Sequence, residues 1–482
     1  MRNRRFLLAP GIALGGILAL YVAFFRPGYF CDPRFLGGLV FLQLLVGILL
    51  KYRVVFFPAL LVVFLLAGTG LPAHDVWTST RWMILAAGAL VGFALWLRNH
   101  HLPIGVFHVV AFGCVLTALV SAMVSAYPAV ALLKGASLLL LFLYGAAGAR
   151  LALSGREEKF LAGLLLGCEI LVYVTAIAYF VLRVELFGNR NSLGVVMGVI
   201  AMPFLLWGLL ISESRSMRGR RLAALLLCQV LLLCSYERAG IVAALISSTL
   251  LCLGLRRYRL FLTGITLVSL AAPMVMAFVP LPAANQSDDG SLTTRFVYKG
   301  KREAGILASR KTVWEKTISS LREHPWFGTG FGTSGLAYDK TQTVQDFSSS
   351  GQLTREHGNS YLEILEWVGL LGIAPFVTLL LLVALNIARV FAWMRRSGTP
   401  FSPAVPLAVF LAGALVHAGF EDWLFAVGYH TCVLFWTFAF LLPDFIPVTA
   451  LTPVRNFRAR YHCPVPDNHL GVAANAQQCT YF

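Results

Sequence analysis

Long apolar runs separated by short polar segments dominate the sequence. A helix needs ~20 mainly apolar residues to cross the hydrocarbon core of a bilayer, and fourteen stretches approach that length. They are residues 7–25, 35–50, 54–71, 81–98, 104–124, 130–149, 159–182, 191–211, 220–234, 238–255, 259–280, 361–388, 403–420 and 424–443. Residues 220–255 are taken as two spans, and one helix with a break is the alternative. A single unbroken span is excluded because the stretch is too long. The pattern predicts an all-α, polytopic integral membrane protein with about 12–14 transmembrane helices and one long loop, residues 281–360.

Composition supports this fold class. Of the 482 residues, 58% are hydrophobic and 13% are charged, and the mean hydropathy is +0.76. Soluble domains average about 45–50% apolar and about 25% charged residues. A soluble enzyme, a disordered chain and a secreted disulfide-rich module are therefore excluded. The net charge of +17 leaves nucleic-acid binding as an alternative until the positions of the cations are considered.

The cations are concentrated on one side of the predicted membrane. Of the 39 lysines and arginines, 22 fall on the same side as the N-terminus, and six fall in the short segments on the opposite side. Ten more lie in residues 281–360, but long loops cross a membrane largely regardless of their charge. The positive-inside rule therefore predicts that both termini are cytoplasmic and that residues 281–360 face outward. It also explains most of the net charge without a nucleic-acid partner.

The two ends of the chain carry separate predictions. The first predicted span follows three arginines, as a signal peptide would, but no small-residue cleavage site follows it. We therefore expect a retained anchor. The residues after about 446 are polar and contain several prolines, so we expect a disordered tail.

The long outward segment is the largest polar part of the chain. Residues 285–290 are typical of a turn-rich linker, and the apolar spacing from about 303 to 322 predicts an amphipathic helix. Trp314 and Arg310 lie on the same stripe of that helix, which suits a membrane interface. The run HPWFGTGFG at 324–332 contains three glycines. Glycine-rich runs can cradle phosphates, but this one faces away from cytosolic nucleotides, so we interpret it as a tight turn.

Charged residues near the predicted outer surface define a candidate site. His357 directly precedes an apolar span at this surface, and four arginines lie near it: Arg183, Arg190, Arg238 and Arg310. Guanidinium groups bind diphosphate oxygens in a bidentate manner. A histidine with a pKa near ~6.5 can take a proton from a hydroxyl. These residue types predict a phosphate site with a histidine beside it.

Simpler interpretations stay open for the same residues. An arginine in an outer loop commonly contacts solvent or lipid headgroups, and a single loop histidine is commonly structural. Glu363 and Glu366 are interpreted as solvated acids in the first turns of a helix, where the helix dipole favours them. Lys134 and Glu169 lie within spans, which predicts interior pairing or a cavity, with partners that the sequence does not identify.

Six short motifs follow one another in a specific order. They are GNRNS at 188–192, SYERAG at 235–240, R-x3-W at Arg310 and Trp314, PWFGTGFG at 325–332, HGNSYL with WVGLLG at 357–372, and His417-x3-Glu421-Asp422. This order resembles the bacterial O-antigen ligase and O-antigen polymerase family, and it covers roughly residues 185–445. One departure is that Gly358 separates His357 from Asn359, whereas the family usually has the histidine and the asparagine adjacent.

The resemblance implies a polytopic membrane glycosyltransferase. Such enzymes transfer a glycan from undecaprenyl diphosphate to an acceptor hydroxyl at the periplasmic face, with inversion and without a metal. By their places in the motifs, Arg238 and Arg310 would bind and neutralise the diphosphate, and His357 would position or deprotonate the hydroxyl. The further candidate substrate-binding residues are Asn189, Arg190, Asn191, Trp314, Asn359, Glu421 and Asp422. No cofactor and no metal site are expected.

The implied partners are an undecaprenyl-diphosphate-linked glycan donor, an acceptor and membrane lipids, with no nucleic acid. The acceptor would be lipid A core, a growing glycan or another carrier, so ligase and polymerase both stay open. The expected location is the bacterial inner (cytoplasmic) membrane, with the active face periplasmic. We expect N-terminal transmembrane helices at 1–184, a ligase/polymerase-like core at 185–445 that includes loop 281–360, and a cytoplasmic tail at 446–482.

A transporter or flippase for polysaccharide or lipid-linked sugars is the alternative from another class. That class predicts inverted repeats, broken helices and charges near the middle of the membrane. The candidate residues here lie at the predicted outer surface instead, and we find no internal repeat in the sequence. A glycosyltransferase is therefore the preferred interpretation.

Overall fold

A computed structural model describes residues 33–70, 74–98, 104–278, 308–334 and 357–447. The predicted first span at 7–25, the linker at 285–290 and nearly all of the tail at 446–482 lie outside these residues.

The described residues form helices and no strand. Thirteen helical stretches follow one another: α1 Pro33–Ala67, α2 His74–Arg98, α3 Val106–Met123, α4 Pro128–Leu153, α5 Glu157–Leu182, α6 Arg190–Leu210, α7 Arg215–Ser235, α8 Arg238–Gly254, α9 Tyr258–Phe278, α10 Ala308–Glu323, α11 Ser360–Ser397, α12 Ala404–Ala418 and α13 His430–Phe445. Helices α4, α5 and α6 each contain one six-residue π-helical turn.

Six of these helices are long and apolar enough to cross a membrane, namely most of α2, and α3, α4, α5, α6 and α11. The last turns of α1, and α8, α12 and α13, are shorter apolar helices. The prediction of an all-α, polytopic membrane protein is confirmed.

Two predicted boundaries differ from those in the structure, and the alternative left open for residues 220–255 is decided in favour of two helices. Residues 35–50 and 54–71 were predicted as two spans, but α1 continues through both, because Lys51 and Arg53 between them favour helix as well as most apolar residues do. The predicted span 424–443 becomes helical only at His430. Residues 220–255 form two helices, since Tyr236 between them adopts a left-handed conformation with φ 54°.

Helices α6 and α8 pack closely near their first turns. A Cβ atom at Gly194 would overlap the side chain of Glu237, and one at Gly198 would overlap the backbone of Gly240. Only glycine permits this approach of the two backbones. The contact brings the first turns of α6 and α8, with Arg190 and Arg238, to the same end of the bundle.

Helix α11 is broken at Gly369, and the glycine-rich segment 325–332 is docked into the break. Gly369 has φ 66° and ψ −175°, which interrupts the helical hydrogen bonds. The backbone N–H groups of Thr329 and Gly330 donate to the carbonyls of Glu366 and Trp367, at 2.9 and 3.1 Å. In return, two N–H groups after the break donate to carbonyls of the segment, at 2.8 and 3.1 Å. The predicted turn is therefore present, and it also replaces the hydrogen bonds that α11 loses.

Two charges inside predicted spans have identifiable partners, as the sequence indicated. Glu169 pairs with Arg220 at 2.7 Å and with Arg221 at 3.3 Å. Lys134 of α4 donates from Nζ to the carbonyl of Gly332 at 2.5 Å, so it holds the far end of the glycine-rich segment.

Candidate functional site

The first turn of α11 is joined to the segment that follows α12. Ser360 donates from its backbone N–H and from Oγ to the carbonyl of Glu421, at 3.1 and 2.6 Å. In turn, Ser360 Oγ accepts from the backbone N–H groups of Trp423 and Leu424, both at 3.1 Å. These four hydrogen bonds fix residues 421–424 beside the residues that precede α11.

His357 lies at this junction and is fully buried. Its Nε2 is 2.8 Å from Glu366 Oε2 and 3.2 Å from Ser334 Oγ. Its backbone N–H donates to Asp422 Oδ2 at 2.6 Å. Its Nδ1 is 3.8 Å from a carboxylate oxygen of Glu363 and from one of Asp422, and it makes no hydrogen bond within the described part of the chain. The histidine is thus surrounded by three carboxylates.

Glu363 and Glu366 are buried, so their interpretation as solvated first-turn acids is wrong. They are 4% and 0% exposed, respectively. The first turns of α11 do not face solvent because the glycine-rich segment and residues 421–424 cover them. No feature of the local sequence distinguishes a covered helix start from a solvated one.

Arg310 of α10 forms an ion pair with Glu421 at the edge of the junction. Burial raises the pKa of the Glu421 carboxyl, and the positive charge of Arg310 opposes this shift. Trp314, one turn further along α10, donates from Nε1 to the carbonyl of Gly358 at 3.3 Å. The R-x3-W pair therefore anchors α10 against both segments that hold the site, which agrees with their predicted place on one stripe.

Gly358, the departure from the family pattern, has a structural reason. It has φ 59°, and a Cβ atom there would overlap Nη1 of the Arg310 guanidinium. The glycine therefore lets Arg310 lie directly against the backbone beside His357.

We expect Gly358→Ala to displace Arg310 and to lower the glycan transfer that the motifs imply by about 100-fold, the usual loss for a misplacement of about 1 Å. Gly155→Ala is the matched control, since Gly155 has φ 74° but open space around its Cβ position. In thermal unfolding of the purified protein, the control should lose only about 1–2 kcal/mol of unfolding free energy, because alanine is unfavourable at a positive φ. Equal transfer rates for the two variants would contradict the role assigned to Gly358.

Arg238 is the first residue of α8, and its guanidinium lies within the electrostatic influence of Arg310. Its neighbour Glu237 caps α8 by accepting from the backbone N–H of Gly240. Glu237 Oε1 also lies 3.6 Å from Nε2 of His417, whose Nδ1 accepts from Trp423 Nε1 at 2.9 Å. Glu237 and His417 were not predicted as site residues, although both belong to the motifs.

The predicted asparagines include two helix caps. Asn189 Oδ1 accepts from the N–H of Ser192 at 2.7 Å and starts α6. Asn359 Oδ1 starts α11 in the same way, with N–H donors at 2.9 and 3.1 Å. Arg190 pairs with Glu185 at 3.3 Å. These residues are therefore held in place by local structure, and the amide nitrogens of the asparagines are not used in the caps.

A cavity of about 1460 Å³ opens beside the junction. Its polar lining includes Glu363, Glu421 and Asp422 from the junction, Asn189 and Asn191 from the start of α6, and Lys134. Aromatic and aliphatic side chains form much of the remaining wall, in the way that pockets for large amphipathic ligands are built. Asp422 and Glu363 separate this cavity from His357.

One group among the described residues has the spacing of a cation site. His357, Glu363 and Asp422 each offer one ligand atom, and these atoms lie within 4.8 Å of one another. Glu363 and Asp422 both lie 3.8 Å from Nδ1 of His357, so the arrangement equally suits a proton held between an imidazole and carboxylates. Nearby arginines supply positive charge to this end of the bundle.

The fold and site define a polytopic membrane protein with a buried, carboxylate-rich histidine site and adjacent arginines. Residues 222–377 match the model of a family described as O-Antigen ligase. This region, which includes Arg238, Arg310, the glycine-rich segment and His357, is therefore similar to the O-antigen ligase family, which confirms the resemblance seen in the motifs. No curated protein matches the chain. The family supports glycan transfer of the ligase or polymerase type, with a lipid-linked glycan and an acceptor as partners.

Proposed function

We propose that this protein transfers a glycan from undecaprenyl diphosphate to an acceptor hydroxyl at the periplasmic face of a bacterial inner membrane. The observation that carries the proposal is the meeting of His357, three carboxylates and the Arg310–Glu421 pair beside one large cavity. The distribution of lysines and arginines supports the orientation, with both termini cytoplasmic.

The diphosphate of the donor would bind at Arg310 and Arg238. Two neighbouring guanidinium groups repel each other, and a diphosphate between them relieves this repulsion. Glu421 holds Arg310 in place before the donor binds, and the phosphate oxygens take over part of that ion pair. As the bond to the sugar breaks, charge grows on the leaving oxygen, and fixed cations stabilise that charge most. Arg190, near the start of α6, is a further candidate for the same anion.

The acceptor hydroxyl would approach from the cavity, between Glu363 and Asp422. Its oxygen forms a bond to the anomeric carbon on the face opposite the diphosphate, the bond from that carbon to the phosphate oxygen breaks, and undecaprenyl diphosphate leaves. The hydroxyl proton moves to Nδ1 of His357. The result is inversion at the anomeric carbon, with the charge of the new imidazolium balanced by the surrounding carboxylates.

The remaining predicted residues would hold substrate or the site itself. Asn189 and Asn191 line the cavity and offer amide groups to sugar hydroxyls. Trp314 and Asn359 act through the backbone at Gly358 and the start of α11. This mechanism needs no metal, because the arginines neutralise the diphosphate.

The broken helix α11 does not favour a transporter. Broken helices of transporters use their freed backbone groups to bind substrate or ions near the middle of the membrane. In α11, backbone groups of the glycine-rich segment take up these positions instead. The backbone groups at the break are therefore bound by the protein itself and rigidify the site.

Deletion of the gene is the direct test, followed by gel analysis of surface and lipid-linked polysaccharide. A ligase predicts the loss of surface-linked polymer with accumulation of polymer on the lipid carrier. A polymerase predicts surface molecules capped by one repeat unit. Complementation with the wild-type gene and with Arg322→Ala, an exposed arginine in the last turn of α10, should restore the polymer. A deletion strain with unchanged polysaccharide, or with lipid-linked units retained on the cytoplasmic leaflet, would overturn the proposal.

A further inference from the structure

We infer that Glu366 is a positioning residue that keeps the proton of the neutral His357 imidazole on Nε2 and so leaves the lone pair of Nδ1 toward the cavity. The inference deepens the proposed function and rests on it for its catalytic consequence. Its structural part, the tautomer of His357, stands independently of any substrate.

The contacts of Nε2 determine which ring nitrogen carries the proton. Glu366 Oε2 lies 2.8 Å from Nε2, and both side chains are fully buried. In the inferred state the Glu366 carboxylate is ionised and can only accept hydrogen bonds, so Nε2 donates to it. A neutral imidazole has one N–H group, and Nδ1 is therefore the basic nitrogen. The hydroxyl of Ser334, at 3.2 Å, can accept from the same N–H group or donate elsewhere.

The surroundings of Nδ1 suit a general base. It has no hydrogen bond among the described residues, and carboxylates of Glu363 and Asp422 lie 3.8 Å away on the side of the cavity that both of them line. When Nδ1 takes a proton, the imidazolium is held by Glu366 on one side and by these two acids on the other. The basic nitrogen is thus the one that faces the two acids lining the cavity.

The glycine-rich segment fixes both partners of Nε2. The carbonyl of Glu366 accepts the N–H of Thr329 at 2.9 Å, at the break of α11. Directly after this segment, Thr333 shares a hydrogen bond of 2.8 Å with Ser125, next to Ser334. This gives the PWFGTGFG motif a physical role, which is to hold Glu366 and Ser334 against one face of the imidazole.

The test compares Glu366→Gln, Glu366→Asp and a control, Glu169→Gln, in the purified full-length protein. Glutamine has nearly the same volume, but its amide can donate to Nε2, which allows the proton to move to Nδ1. We expect kcat for transfer to fall by roughly 10³–10⁴-fold with KM little changed, the loss typical when an orienting carboxylate becomes an amide. Aspartate keeps the charge at a longer distance and should give an intermediate kcat. Glu169 is an equally buried carboxylate paired with Arg220 and Arg221, and its variant should keep kcat within a few-fold.

Nitrogen-15 NMR of labelled histidine reads the tautomer directly in the absence of substrate. The chain has ten histidines, so the His357 signals are assigned as those missing from His357→Ala. We expect the Nε2–H form in the wild type and in Glu169→Gln, and a shift toward Nδ1–H in Glu366→Gln. An Nδ1–H form in the wild type, or an unchanged tautomer together with an unchanged kcat in Glu366→Gln, would overturn the inference. A wild-type protein with the Nε2–H form but no transfer would contradict the proposed function alone.

Discussion

His357→Ala is expected to lower the rate of glycan transfer by about 10²–10⁴-fold, the range associated with loss of a general base. The imidazole is fully buried, and its Nδ1 lies 3.8 Å from carboxylate oxygens of Glu363 and Asp422, which line the cavity. Without it, the acceptor hydroxyl keeps its proton as the new bond forms. Transfer is measured with purified protein and a lipid-linked donor, and in cells by gel analysis of surface polysaccharide.

His324→Ala is the matched control for this variant. His324 is exposed and lies in the same long loop of the chain, directly before the glycine-rich segment. Its removal takes away a histidine of the same loop without touching the junction, so normal transfer is expected. If a stably expressed His357→Ala protein makes as much surface polysaccharide as this control, His357 is not the base.

Arg310→Ala is expected to reduce transfer by about 10²–10³-fold, similar to the loss of one preorganised group that stabilises transition-state charge. It should also destabilise the protein, because Glu421 is left in a mostly buried place without its partner. Loss of a partner from a fully buried pair costs about 3–5 kcal/mol. The side chains here keep 15% and 18% of their surface exposed, so we expect a lower cost of about 1–3 kcal/mol.

Two further variants separate the catalytic loss from the loss of stability. The double variant Arg310→Ala with Glu421→Gln removes the unpaired charge, so it should unfold close to the wild-type temperature and still fail in transfer. Arg310→Lys keeps one positive charge but not the bidentate fork, and it should retain only part of the activity. Recovery of transfer in the double variant would mean that Arg310 serves stability and not the diphosphate.

The local sequence was sufficient for the fold class. The cost of placing polar residues in lipid makes apolar length a nearly direct measure of a membrane span, and the all-α, polytopic prediction is confirmed. Helix starts were also accessible, since the Asn189 and Asn359 caps depend on interactions within three residues. The family was recognisable because its motifs keep their order along the chain. The domain boundaries and the residue roles stay predictions.

The site required the tertiary structure. The burial of Glu363 and Glu366 depends on a segment some thirty to forty residues earlier in the chain that docks at Gly369, and residues 421–424 cover them from a segment more than fifty residues later. The reason for Gly358 is likewise a guanidinium from another helix. The sequence by itself determined which residues have the chemistry to bind an anion or transfer a proton, because that depends on residue type. It also determined roughly at which end of the helices they lie, because that depends on hydrophobic length. Which acids face His357, and which nitrogen of its ring stays free, was decided by contacts between distant segments, because burial and hydrogen-bond partners belong to the packed assembly and not to the local chain.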